Sequence, residues 1–154
     1  MKKAFLRGFA FLLVLSMCVG TTSVFATNIG PGAEAENSIT RASNYLSSYH
    51  AWLGSGSNGI IYVYYDVDAT RYMDVVGVTS VVIQQKNGSS WNSVKNFIGT
   101  TSNGMLTTND SSHTDYLSYK GTSGKTYRAV VTFYAELNGG YDTRTLTTSS
   151  IVAP

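Results

Sequence analysis

From Tyr127 to Glu136 the chain alternates without a break. Tyr127, Ala129, Val131, Phe133 and Ala135 fall on one phase, and Arg128, Val130, Thr132, Tyr134 and Glu136 on the other. Successive side chains of a strand point to opposite faces, so a period of two predicts a strand with the first set turned inward. The same period runs from Ile60 to Ala69. Ile61, Val63, Tyr65 and Val67 take the inward phase there, and Ile60, Tyr62, Tyr64 and Asp66 the outward one. Shorter runs predict strands through Tyr49, Ala51 and Leu53, at Val78–Gln85 with Val81 and Ile83 inward, and at Trp91–Ile98. Others are predicted near Met105–Thr108, at His113–Tyr119 and from Asp142 to Val152. Met73 and Val76 stand three apart, a spacing that predicts one helical turn linking two sheets.

Between these runs lie clusters of Gly, Asn and Ser: 54–59, Lys86-Asn87-Gly88-Ser89-Ser90, 121–125 and Asn138-Gly139-Gly140. Asn-Gly tolerates the positive φ angles of a tight hairpin, which makes Lys86-Asn87-Gly88-Ser89-Ser90 a turn with a mechanism, and Asn138-Gly139-Gly140 also turns the chain. Many short strands and no helical period predict an all-β, antiparallel domain over residues 44–154, a two-sheet sandwich or a barrel.

The first residues are of another kind. Lys2, Lys3 and Arg7 precede an almost wholly apolar run from Gly8 to Val19, and Val24-Phe25-Ala26 places modest or small residues before Thr27. That order is a secretory signal peptide over residues 1–26, cleaved near Ala26-Thr27, and predicts a secreted protein. The apolar run is shorter than the ~20 residues of a spanning helix, which argues against a stable membrane anchor. Membrane attachment through an uncleaved signal, or lipidation at Cys18, is a weaker alternative; for Cys18, Met17 is large where a small residue is wanted. Residues 27–43, rich in Gly, Pro, Asn and Glu, predict a flexible arm or pro-segment.

Cleavage changes the composition. The whole chain holds 11 Lys and Arg against 9 Asp and Glu, a net charge of +2. Lys2, Lys3 and Arg7 leave with the signal, so eight cations face nine acids and the mature charge is −1. The case for a nucleic-acid partner from net charge goes with them. Cys18, the chain's one cysteine, leaves too, so the mature domain has no disulfide to support its core.

At Gly121–Ala135 the turn, the strand Tyr127-Arg128-Ala129-Val130-Val131-Thr132-Phe133-Tyr134-Ala135 and the turn Asn138-Gly139-Gly140 resemble the penultimate-strand region of fibronectin type III and related immunoglobulin-like domains. Tyr127 matches the tyrosine whose hydroxyl folds back on nearby backbone in such domains, the tyrosine corner. The second strand departs from those modules in carrying Tyr65 where they have a core Trp. Residues 41–152 also resemble a family of small secreted proteins of Gram-positive anaerobes, classed as a domain of unknown function. Arg41-Ala42-Ser43, Tyr45-Leu46-Ser47-Ser48-Tyr49, Met73-Asp74, Ser90-Trp91, Val94-Lys95, Ser102-Asn103-Gly104-Met105, Ser112-His113 and Tyr127-Arg128-Ala129 carry the likeness. The resemblance implies a single immunoglobulin-like antiparallel β-sandwich and implies no activity.

Catalytic chemistry finds little footing. The two histidines, His50 and His113, fall on predicted strands and in no nucleophile elbow. A minor hydrolase would need a pocket joining one of them to an acid and a hydroxyl. Zinc lacks ligands. Calcium would draw on Asp66, Asp68 and Asp74, or on a loop holding Asn109, Asp110, Ser111 and Asp115, and neither set fits a known calcium motif. Asp66 and Asp68 suit a strand-edge role better than that of a glycosidase pair. No catalytic residue, metal site or cofactor is therefore predicted. Aromatic side chains offer more. All eleven Tyr and both Trp follow the signal; Tyr62, Tyr64 and Tyr134 take outward phases, and Trp91 follows a hairpin. These four are the candidate binding surface, toward an unknown protein or glycan at or outside the cell surface. The leading expectation is a non-enzymatic binding or interaction module. The alternative is a small secreted effector, of antimicrobial or immunity type, with a processed arm.

Overall fold

The computed structural model describes residues 43–154. The predicted signal at 1–26 and all but the last residue of the predicted arm at 27–43 lie outside the described residues. The described chain is all-β and antiparallel. Its seven strands are β1 (Leu46–Ser55), β2 (Ile60–Asn87), β3 (Ser90–Ile98), β4 (Leu106–Lys120), β5 (Thr126–Leu137), β6 (Gly140–Thr147) and β7 (Ile151–Val152).

The 28-residue β2 organises everything else. Its first part pairs with β1 on one side (Trp52 opposite Tyr64) and with the end of β4 on the other (Tyr116 opposite Tyr64). Its last part pairs with β3 (Lys86 opposite Trp91) and with β5 (Val82 opposite Val130), and β6 extends β5. The single sheet curls so that the inward faces of its two ends meet. Ile61, Val63, Tyr65 and Val67 from the first part join Val81, Ile83, Ala129, Val131 and Phe133 in one core, all essentially inaccessible. Burying each aliphatic side chain contributes about 1.5–3 kcal/mol.

The middle of β2 corrects one expectation, and β4 another. Met73–Val76 is strand, not a helical turn. Register slips between Asp68 and Met73 and again between Val78 and Ser80, and each bulge shifts the phase of the inward residues. Val76, Gly77 and Val78 are all buried where the strand passes from one half to the other, so neither a period of two nor one of 3.6 describes the stretch. Gly77 takes φ +144°, and a Cβ there would lie 2.4 Å from the Met105 carbonyl oxygen, so only glycine fits. Likewise 105–108 and 113–119 are not two short strands: β4 runs through both, kinked at Asn109 with φ 51°. The supposed loop of Asn109, Asp110, Ser111 and Asp115 is therefore part of this strand.

The β2–β3 turn falls on Gly88 and Ser89, one residue later than an Asn-Gly turn, because Asn87 pairs with Ser90 in the ladder. Asn138 and Gly139, at φ 52° and 78°, form the two-residue β5–β6 hairpin, both angles positive as a type I′ turn requires. Tyr127 is buried, and its hydroxyl accepts the Thr122 N–H at 2.8 Å and reaches Gln85 Oε1 at 3.2 Å. The hydroxyl thus folds back on nearby backbone, the contact expected of Tyr127 from the sequence. Ser43, placed with the arm by its sequence, joins the fold. Its hydroxyl donates to the Asp142 carboxylate and accepts the Leu46 N–H at 2.9 Å.

Candidate functional site

The outer face of β1, the first part of β2 and the end of β4 concentrates aromatic side chains. Register alone brings them together. Trp52, Tyr64 and Tyr116 form one cross-strand row, and Tyr62 lies two residues from Tyr64 on the same face. Trp52 stacks on Tyr64 with ring centroids 5.4 Å apart and planes at 12°. Tyr64 and Tyr116 are 5.7 Å apart, and Tyr62 meets Tyr116 edge-on at 5.8 Å and 72°. Such offset and edge-to-face pairs each contribute about 0.5–1.5 kcal/mol beyond buried area. Trp52 is 37% and Tyr116 56% exposed, while Tyr62 and Tyr64 between them are half-buried.

Glycine makes room for the two central rings. A Cβ at Gly54 would sit 2.8 Å from Cε2 of Tyr64, and one at Gly56 would sit 2.9 Å from Cε2 of Tyr62. Each ring edge occupies the space above a glycine, Gly54 within β1 and Gly56 just past its end, and supplies side-chain packing that glycine alone lacks.

Polar groups flank the rings. In the next row along the strands, His50 Nδ1 donates to Asp66 Oδ1 at 2.9 Å. Beyond it, Ser48 Oγ donates to Asp68 Oδ2 at 2.7 Å. At the far end Lys120 donates to the Asn58 carbonyl. Asp74 is elsewhere and accepts the Asn138 N–H at 2.7 Å. The three acids weighed together for calcium thus have three separate uses. Asp110 Oδ1 accepts the Ser111 N–H at 2.7 Å. Among the described residues no three His, Cys, Asp or Glu side chains gather as metal ligands.

Of the four aromatic candidates, the structure brings together Tyr62 and Tyr64 alone. Tyr134 lies on the outer face of β5, stacked on Tyr141 at 5.8 Å, and its hydroxyl donates to Glu136 Oε2 at 2.6 Å. Burial first, and then that bond to Glu136, push its ionisation up to about 12. Trp91 lies on β3 beneath Arg128, whose guanidinium carbon is 4.4 Å from the ring and whose Nε donates to Gln84 Oε1 at 2.8 Å. Trp52 and Tyr116 complete the cluster, and sequence reasoning missed both. Trp52 had a signal, since an inward Tyr49, Ala51 and Leu53 turn it outward. Tyr116 had none, because only the β2–β4 register places it beside Tyr64.

His113 points inward. Its ring lies 6.1 Å from that of Tyr65, and both His113 Nε2 and the Tyr65 hydroxyl are buried without a hydrogen-bond partner. Burial, with a smaller push from Asp115, moves Tyr65 ionisation up. A hydroxyl, an imidazole and a carboxylate are thus near one another. The hydroxyl, however, is sealed in the core and held protonated, the reverse of an activated nucleophile. No protein-family model, no curated protein and no solved structure matches this chain.

Proposed function

We propose that this chain is an exported, non-enzymatic binding module that recognises its partner through the outer face of β1, β2 and β4. One observation carries the reading: Trp52, Tyr62, Tyr64 and Tyr116 form a single ordered aromatic cluster on a surface that no described segment covers. Aromatic side chains present large contact area at low cost in rotamer entropy, and they dominate interface energetics. Stacking on neighbours and on Gly54 and Gly56 fixes these rings before any partner arrives, which lowers the entropy lost on binding. Export is supported by the charged start, the apolar run and the small-residue site before Thr27. The tyrosine corner at Tyr127 supports an immunoglobulin-like sandwich as the finer description of the curled sheet.

A glycan-array and pull-down screen comparing the wild-type protein with Trp52→Ala and Tyr116→Ala tests the reading. Capture by the wild type that is lost in both variants is the expected result. Equal capture by all three proteins places recognition elsewhere.

A further inference from the structure

We propose that the aromatic face takes a cationic chain, a peptide segment presenting Arg or Lys side chains, with the cations lying between the rings of Trp52 and Tyr116 and the carboxylates of Asp66 and Asp68. The proposal rests on this face being the recognition surface and names what it recognises.

The argument is one of charge complementarity, and the rest of the molecule supplies the contrast. Trp91 on β3 is covered by its own chain's Arg128, 4.4 Å from the ring, and Phe97 has Lys95 Nζ at 5.3 Å. The larger cluster at Trp52 has no such partner among the described residues. The one lysine on this face, Lys120, lies at the far end and is engaged with the Asn58 carbonyl. Beside the rings stand acids instead. Asp66 follows Tyr64 on the same face of β2, which sets it on the order of 7 Å away, and Asp68 follows Asp66. Asp68 is exposed, with Ser48 as its neutral hydrogen-bond partner. Asp66 accepts from His50 Nδ1 through Oδ1. Aromatic ring faces carry negative potential and attract guanidinium or ammonium groups within ~6 Å. Rings and carboxylates together make a face that is negative and apolar at once. The long apolar stems of Arg and Lys, ending in a charge, match both properties.

The test uses the protein recovered from a secreting host, labelled with nitrogen-15, in which the Trp52 and Trp91 indole N–H signals report the two rings separately. It is titrated with a nona-arginine peptide and, separately, with cellohexaose as a neutral saccharide. The peptide is expected to shift the Trp52 signal and leave that of Trp91 in place. Its affinity is expected to fall about tenfold in the Asp66→Asn/Asp68→Asn double variant, and again with added salt as exposed charges are screened. Both substitutions are at surface positions, and an unchanged spectral dispersion shows that the variant is folded. Peptide binding that ignores the double substitution overturns the proposal. A response to cellohexaose with none to the peptide also overturns it, while leaving the face as a recognition surface. No response of Trp52 to either probe counts against both the cation and the face.

Discussion

The two ends of β2 make an instructive pair. Residues 60–67 and 78–87 belong to one strand, bury apolar residues on one side and meet across one core. Ile61 and Ile83 are 0% and 1% exposed. Their outer faces have little in common. The first carries stacked Tyr and Trp rings with acids alongside. The second carries Gln84 and Val82 beside Arg128 and Trp91, already paired with one another. The fold constrains the inner faces to be interchangeable in kind and leaves the outer faces free to differ, so function is to be sought where the two halves diverge.

The sharpest way to break that comparison is to cut the core on each side. Ile61→Ala and Ile83→Ala should each destabilise by about 2–5 kcal/mol, read from urea unfolding, since each leaves a cavity in the same packed interior. Tolerance of one but not the other would mean that the halves do not share a core. Next in size is Tyr127→Phe, which removes the hydroxyl that holds the Thr122 N–H and should cost about 1–2 kcal/mol. An unchanged midpoint would deny the corner a stabilising part.

A smaller effect concerns Asp142, where the strand entering β1 meets β6. The Ser43 hydroxyl foremost, with the Tyr45 N–H and Arg144 adding to it, holds its carboxyl below the ordinary range against the opposing effect of burial. A folded-state value below the unfolded one gives stability that is present above the unfolded value and lost as pH falls through the folded one. The unfolding midpoint should therefore drop on acidification below the usual carboxylate range, and Ser43→Ala should weaken that dependence. A variant with the wild-type acid profile would detach Ser43 from the effect. Smallest of all is Tyr65→Phe. Deleting a buried hydroxyl without a partner should leave stability unchanged or raise it, in contrast to Tyr127. A loss above about 1 kcal/mol would reveal a partner for that hydroxyl.

Much of this architecture was legible where the alternation is clean. Ile61 to Val67 and Tyr127 to Ala135 give the inward residues of both halves directly, because a strand with one buried face writes its period into the chain. The reading failed at Met73–Val76, because the strand passes there from one half of the sheet to the other and buries Val76, Gly77 and Val78 in succession, which gives a spacing of three without a helix. The candidate site was half legible for a related reason. Phase identifies Tyr62 and Tyr64 as outward, but adjacency to Trp52 and Tyr116 depends on register between strands about 50 residues apart in the case of β4, and local pattern carries no such information.

The reach of β2 has a consequence for how the molecule comes apart. Because one continuous strand is hydrogen-bonded into both ends of the sheet, neither end can open without disturbing the ladder that holds the other. Val75 pairs with Glu136 and Tyr64 with Tyr116, so closing the structure joins segments distant along the chain, and such non-local closure is slow and all-or-none. A domain without disulfides thus has its resistance to partial unfolding written into a shared backbone rather than into cross-links.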